Sequence, residues 1–448
     1  MNNYLQIDKH IDFYNQTISH VDKLCGTSDE LCFVYVQHAF LSLIPHMDCL
    51  GDRLAALIPK ASSSMGNRDV VKQLEARFPG KIFGDVNRAQ LRNQNFTLSL
   101  LKNVTRDRPF AILEYGGYFA PSAEAIANDP DLGPRLAGFV EGTENGIKGA
   151  DDGLTIGYQN VVKKVSKPVV SKSRSRIKLI MDRDIGPAIV ESCNNIVRQT
   201  CNIDIETSPI STGVVGLGSI GKGILRHLDE RNIGPFVYDT DLAVMAELAH
   251  CQQFAVPLEI LLARSDLVFL NTGSCFLAQQ PELLEHLKED AILVLCTSGD
   301  VEAGIPQLIA DNQIQLIDSL KSDNIATYKT KSDKHFRVIL GGDGVGQAPN
   351  LVVENGSESL ANLMSDMEFY ALGCYLGWHL ESSAGQLPTG TISDSPNHMQ
   401  DLILKQWLQV FHPQSQQSGV ESNRGRTELK LQSNQVNDAS SFADEVLT

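Results

Sequence analysis

Three glycines, Gly216, Gly218 and Gly221, carry the clearest chemical signal in the chain. They close the apolar run Thr212-Gly-Val-Val-Gly-Leu-Gly-Ser-Ile-Gly221 in the pattern G-x-G-x-x-G, and the helix-like Ile224-Leu-Arg-His-Leu-Asp229 follows at once. The first glycine permits a tight turn, the second lets a pyrophosphate approach the backbone, and the third lets helix and strand pack closely. Ser219 and Ile220, between the second and third glycines, are expected cofactor contacts, and the N-terminus of the following helix can hold the anion. Gly234-Pro-Phe-Val-Tyr-Asp239 then reads as a second strand ending in an acid, 18 residues after Gly221. A carboxylate there accepts hydrogen bonds from a ribose diol and repels a 2′-phosphate, so the expected cofactor is NAD and not NADP. Thr272, in the turn after the further strand Ser265-Asp-Leu-Val-Phe-Leu-Asn271, is a cofactor contact on the same fold logic.

A second group of residues could handle charge. From Leu154 to Met181 there is no acidic residue, yet Lys163, Lys164, Lys167, Lys172, Arg174, Arg176 and Lys178 fall there. Two readings stay open: a solvated connection with surface ion pairs, or a rim that receives an anionic ligand. Lys178 and Asp182, four residues apart, form an ordinary ion pair if the stretch is helical, contributing about a few tenths of a kcal/mol. Arg108-Pro-Phe-Ala-Ile-Leu-Glu-Tyr-Gly-Gly117 and Leu136-Ala-Gly-Phe-Val-Glu-Gly-Thr-Glu-Asn-Gly146 each read as a buried strand ending in a turn. Strand ends are where open α/β sheets bind ligands, which makes Glu114 and Glu141 candidates for substrate contact.

The elements that must position these groups follow from hydrophobic pattern. The first hundred residues read as mainly helical, including Leu31 to Ile44, where apolar residues recur at three- and four-residue spacing. Helical character also appears from Ile185 through Val197. Short apolar runs at 265–273, 290–296, 313–318 and 335–340 read as further parallel strands, and Leu360 to Leu380 reads as a core helix of about 30 Å. Beyond His412 the chain turns to Gln, Ser, Asn and isolated charges, the composition of a disordered tail.

At 448 residues the chain exceeds one core and suggests two or three domains. Its formal charge of −16 excludes a nucleic-acid partner, since phosphate backbones need a basic surface. No apolar run reaches membrane-spanning length, the N-terminus lacks the marks of a signal peptide, and nine scattered cysteines without a C-x-x-C pair fit reduced thiols in a cytoplasm. The expected partners are therefore a small-molecule substrate and other copies of the chain, with neither nucleic acid nor membrane, and no metal site.

Laid side by side, these segments resemble S-adenosylhomocysteine hydrolase over most of residues 30–380. Ile112-Leu-Glu-Tyr-Gly-Gly117 is similar to its ILDDGG, Val140-Glu-Gly-Thr-Glu-Asn-Gly146 to its SEETTTG, and Val215-Gly-Leu-Gly-Ser-Ile-Gly-Lys-Gly223 to its AGYGDVGKG. Ala291-Ile-Leu-Val-Leu-Cys-Thr-Ser-Gly-Asp-Val-Glu302 is similar to AIVCNIGHFDVE, and Asn350-Leu351 precedes the closing helix. The resemblance implies an α/β fold in which a doubly wound Rossmann NAD-binding domain is inserted in a second α/β substrate domain. The domains it implies are 1–186 and 356–412 for the substrate, 187–355 for NAD, and 413–448 as the polar tail.

By the same resemblance His46 lies in the substrate site, Lys178 is the reactive lysine and Asp182 its partner, while Thr143 and Asn350 touch the cofactor. A shifted register would promote Lys172 in place of Lys178. Other positions depart from the family: Tyr115 and Gly142 stand where it has catalytic acids, and Ser298 and Ser357 where it has histidines. The chemistry implied is transient oxidation of a secondary, ribose-like alcohol by bound NAD. Arg174 and Arg176 would favour a nucleoside-like or more anionic substrate, and the family's assemblies suggest a homodimer or homotetramer. Two other functions stay open: a non-catalytic NAD-binding sensor, and the parent hydrolase activity.

Overall fold

The structure is a computed structural model that describes residues 2–26, 29–39, 43–60, 68–149, 156–297, 302–319, 325–339, 360–382 and 387–412. Asn350, Ser298, Ser357 and the segment 413–448 lie outside the described residues. Strands β1 (Cys32–Gln37), β2 (Leu54–Pro59), β3 (Phe110–Glu114), β4 (Leu136–Glu141) and β5 (Val169–Ser171) form a first sheet in the order β2-β1-β3-β4-β5, every pair parallel. Much later in the chain β14 (Ile392–Asp394) joins the β5 edge, also parallel. A second sheet falls entirely between these two strands in sequence.

That second sheet holds β6 (Thr212–Val215), β7 (Phe236–Tyr238), β8 (Phe254–Ala255), β9 (Leu267–Leu270), β10 (Ala291–Leu295), β11 (Ile314–Ser319), β12 (Ile325–Thr330) and β13 (His335–Ile339). Its order is β8-β7-β6-β9-β10-β13-β12-β11. The first six positions reproduce the doubly wound 3-2-1-4-5-6 pattern, in which the winding direction reverses between the first and fourth strands. Here the reversal lies between β6 and β9, whose Val215 and Leu270 are paired. The first sheet reverses between β1 and β3. Each sheet thus has a switch point, and at each the chain leaves on opposite faces and opens a crevice.

Three expectations from pattern alone need correction. Leu31 to Ile44 is not one helix: β1 occupies Cys32–Gln37 and a helix, α2, only Leu43–Leu50; before them α1 covers Asn2–Cys25. The cause is burial on both faces, since Phe33 and Tyr35 enter one core while Cys32, Val34 and Val36 enter the other. A doubly buried strand is a continuous apolar run, which helical spacing also matches. Next, β12 is a reversed strand between β11 and β13 that pattern did not reveal, its Ile325-Ala-Thr-Tyr-Lys-Thr330 being half polar. Finally, the helix expected from Ile185 starts at Arg176 and runs to Cys201, so residues 186 and 187 sit inside it and not at a chain break.

This long helix, here α4 (Arg176–Cys201) after the short α3 (Glu144–Lys148), is what ties the sheets together. Ser175 caps it, accepting a bond from the Lys178 amide at 3.0 Å, and Asn202 ends it in the left-handed conformation. Ile177 and Met181 pack in the core of the first sheet, whereas Ile189, Val190, Cys193, Ile196 and Val197 pack in that of the second. Midway, Gly186 meets α5 (Ser219–Glu230) so closely that a Cβ there would stand 2.5 Å from the Gly223 carbonyl carbon. The first turn of α4 is thereby fixed between the two crevices, beside the start of α5. Two further helices, α6 (Leu360–Glu381) and α7 (Asn397–Phe411), return to the first sheet and cover its free face.

Candidate functional site

Gly216 has a φ of 84°, and a Cβ on it would lie 2.7 Å from the Asn271 carbonyl oxygen, so only glycine makes this turn. A Cβ at Gly221 would collide with the Gly216 carbonyl oxygen, which fixes α5 against the strand end. Gly218 differs from both, because nothing lies within 4 Å of the place where its side chain would be. No side chain caps α5, so the amides of its first turn have no side-chain partner and point into that space. The residues therefore suit a phosphate group: donors, a positive helix end and room above the second glycine.

Asp239 ends β7 beside this turn, its carboxylate held by the amides of Leu217 at 2.6 Å and Asp241 at 2.8 Å. Across the switch point the turn after β9 is braced by Glu302. One oxygen of this buried carboxylate accepts from the Thr272 amide at 3.0 Å and its hydroxyl at 2.6 Å, and the other from the Gly273 amide at 2.8 Å and the Thr297 hydroxyl. Burial pushes the Glu302 carboxyl up, and these bonds pull it back. The Thr272 hydroxyl is thus committed to Glu302, while the Asn271 carboxamide oxygen is buried with no partner.

Lys178 and Asp182 do come together, on successive turns of α4 and with both side chains about nine-tenths buried. The condition for an ordinary helical ion pair is met, but the setting is not ordinary. The second oxygen of Asp182 accepts a 3.0 Å bond from the Ser219 hydroxyl, at the first residue of α5. A chain of contacts therefore runs from the Lys178 ammonium through Asp182 to the glycine turn.

His46 is not part of that chain. It is fully buried on α2 between Tyr14 and Tyr35, with neither ring nitrogen hydrogen-bonded. Burial first, and the Lys172 charge second, pull it down to about 3, so it is neutral at any ordinary pH.

Glu114 and Glu141 are also displaced from the expected role. They are register partners on β3 and β4, fully buried, and face the opposite side of the sheet from Tyr115. Glu114 accepts from the Tyr158 hydroxyl and from the Phe119 amide at 3.0 Å. Glu141 accepts from the amides of Gly116 at 2.9 Å, Gly117 at 2.7 Å and Thr143 at 2.7 Å, and from the Thr143 hydroxyl at 2.6 Å. Burial, then its neighbour Glu141, pushes Glu114 up to about 8. Alternation of faces along the strand gives the reason: one residue of offset puts the side chain in the other core. Thr143 caps α3, its hydroxyl donating to Glu141 and accepting from the Gly146 amide. Its neighbour Asn145 instead reaches the Gly273 turn across the crevice.

The two arginines are surface groups. Arg174 makes a bidentate pair with Glu144 at 2.8 and 2.9 Å, and Arg176 pairs with Asp401 at 3.0 Å. Each charge already has its carboxylate, which favours the solvated set of ion pairs over the anion-receiving rim. Lys172, like Lys178, is buried instead. It is fully buried, donates to the Ser365 carbonyl at 2.6 Å and hydroxyl at 2.7 Å, lies 3.8 Å from Glu368 and sits 3.9 Å above the Phe369 ring. Burial lowers it to about 8 against the opposing pull of Glu368 and Asp366.

No family model matches the chain, that of S-adenosylhomocysteine hydrolase included, and no curated protein matches it. Among solved structures it is similar to a phosphoglycerate oxidoreductase from Vibrio cholerae, at 14% identity over 59% of this chain and 74% of the other with a TM-score of 0.34. It is also similar to the D-lactate dehydrogenase from Escherichia coli, at 13% identity over 63% and 79% with a TM-score of 0.31. The first is an oxidoreductase and the second a dehydrogenase, neither is the hydrolase, and with no family model matching, the expected membership of the hydrolase family is corrected. The matches are too remote to carry an argument about activity. The quoted segments are those that any βαβ nucleotide fold repeats: a glycine turn, apolar strands and strand-end acids.

Sequence reading missed Glu302 as a brace, Lys172 as a buried charge, and Ser219 as a partner of Asp182. Glu302 stands 30 residues from Thr272, and Ser219 stands 37 from Asp182. No local spacing signals pairs so distant. For Lys172 one signal was available, since it follows the apolar Val169-Val-Ser171 at a strand end.

Proposed function

We propose that the chain binds a nicotinamide dinucleotide over Gly216 to Gly221 and moves a hydride between it and a secondary alcohol or the corresponding ketone. The observation that carries this reading is the glycine turn, with its open second glycine, uncapped helix and adjoining Asp239, joined by the Asp182–Ser219 bond to a buried lysine. The dinucleotide supplies a hydride acceptor or donor when bound. Lys178 holds the proton at the oxygen of the reacting carbon, and Asp182 orients the ammonium. Asp239 receives the ribose diol and sets preference for NAD over NADP. The oxygen served by Lys178 identifies the reaction class and not the substrate.

Calorimetric titration tests the cofactor part: NAD binds, NADP binds more weakly, and Asp239→Ser narrows that difference. Near-ultraviolet absorbance tests the chemistry. On addition of a panel of secondary alcohols to protein with NAD, one of them generates the reduced cofactor, and Lys178→Met abolishes that signal while retaining NAD binding. Retained turnover in Lys178→Met would remove the lysine from the reaction.

A second reading, an NAD-binding protein without turnover, is supported by a specific feature. The Tyr115 ring lies against Gly142, where a side chain at that position would stand, and Glu114 and Glu141 face away. That leaves neither glutamate to serve a reacting group near Lys178. Absence of reduced cofactor with every alcohol, despite tight NAD binding, would favour this reading.

A further inference from the structure

Ser219 occupies two positions of consequence at once. It is the first residue of α5, at the mouth of the glycine turn, and its hydroxyl donates to Asp182 at 3.0 Å. Asp182 accepts from two groups, the Lys178 ammonium and this hydroxyl, one on each carboxylate oxygen. A serine hydroxyl has one proton to donate. A phosphate seated over Gly218 is a doubly suited acceptor for it, being charged and lying at the helix N-terminus.

We propose that Ser219 is a positioning residue that reports occupancy of the glycine turn to Lys178. Without a dinucleotide its hydroxyl donates to Asp182 and spreads that carboxylate's charge. With a pyrophosphate in place the hydroxyl rotates to a phosphate oxygen, and Asp182 is left to Lys178 alone. The ammonium is then held more firmly, and the Lys178 side chain is fixed in place beside the glycine turn only when the cofactor is present. No bond is made or broken beyond the exchange of one hydrogen-bond acceptor. Because the two helices are locked at Gly186 and Gly223, the exchange needs a side-chain rotation and no movement of backbone. This inference rests on the dinucleotide reading above and adds to it a link between binding and chemistry.

The test uses the full chain and ADP, which carries the pyrophosphate but lacks the nicotinamide half that would cover Lys178. The Lys178 side chain is 11% exposed, enough for a small amine reagent such as acetic anhydride. Labelling of that lysine is followed by peptide mass spectrometry at one pH, and ADP binding is measured separately by calorimetry. In the unaltered protein ADP slows labelling of Lys178 roughly tenfold, the size of one hydrogen bond to a charged group. Ser219→Ala labels slowly from the start and responds little to ADP, although it still binds ADP through backbone amides. Ser219→Thr, which keeps the hydroxyl, restores the response. If ADP binds and labelling does not change, or if Ser219→Ala responds as strongly as the unaltered protein, the coupling is overturned and the dinucleotide site stands. If ADP, NAD and inorganic pyrophosphate all fail to bind, both fall.

Discussion

At the end of β4 the buried Glu141 takes bonds from the amides of Gly116 and Gly117 and from Thr143; after β10 the buried Glu302 takes bonds from the amides of Thr272 and Gly273 and from Thr297. Both sheets thus stiffen a glycine-bearing turn at a strand end with one carboxylate and a threonine. Beyond the brace they part. In the first sheet α6 brings Ser365 and Glu368 to the strand ends, where they meet Tyr115 and Lys172. In the second the space above Gly218 stays open and the first amides of α5 have no side-chain cap. The lesson is that a rigid strand end becomes a site only where its donors are left for a ligand. Where the protein itself supplies partners for the charged groups, the same architecture yields a closed, charged core.

The largest expected effect breaks the closed end. Lys172→Met leaves Glu368 without its cation and should destabilise the protein by about 3–5 kcal/mol, whereas adding Glu368→Leu to it should recover much of the loss. Chemical denaturation measures both. If the single change is neutral, the network is not what closes this end.

The glycine turn sharpens the contrast within the open end. Gly221→Ala drives a Cβ into the Gly216 carbonyl and should lower stability by about 1–3 kcal/mol. Gly218→Ala meets open space and should change stability by less than about 1 kcal/mol, yet weaken NAD binding by obstructing the phosphate. Equal effects of the two on stability would contradict the different roles assigned to them.

Acidity marks the closed end. Glu114, next to Glu141, has its carboxyl raised from an ordinary 4.5 to about 8 by burial and by that neighbour. A carboxyl raised on folding holds its proton more tightly in the folded state. Its stabilisation is complete below the ordinary value and is lost as pH rises through the folded value. Thermal stability should therefore decline between about pH 4.5 and pH 8 on this account, and Glu114→Gln should flatten that decline. An unchanged slope in the variant would assign the decline to other groups.

The smallest effect concerns the surface. Arg174→Ala removes an exposed pair with Glu144 and should alter stability by about 0–1 kcal/mol, less in high salt, with NAD affinity unchanged. A marked loss of ligand affinity in this variant would restore the anion-receiving rim that the pairing with Glu144 argues against.

Much of the second sheet was legible in the sequence and much of the first was not. The glycine turn, the following helix, Asp239 and the strands at 267–270 and 291–295 were all readable, because each is set by local spacing within a βα unit. β1 was misread because its neighbours bury both faces. Glu114 and Glu141 were placed at strand ends correctly, but which face they used depended on the register between β3 and β4.

What the sequence by itself determined is the place where a phosphate can sit: a glycine's conformational freedom and a helix's first amides are properties of a few consecutive residues. Only the tertiary structure decided what becomes of the charges. Lys172 meets Ser365 from 193 residues away, Asp182 meets Ser219 across two helices, and Arg174 finds Glu144 from another strand end. A charged group's role follows from its solvent exposure and its nearest counter-charge, and both are set by chain segments that only folding brings together.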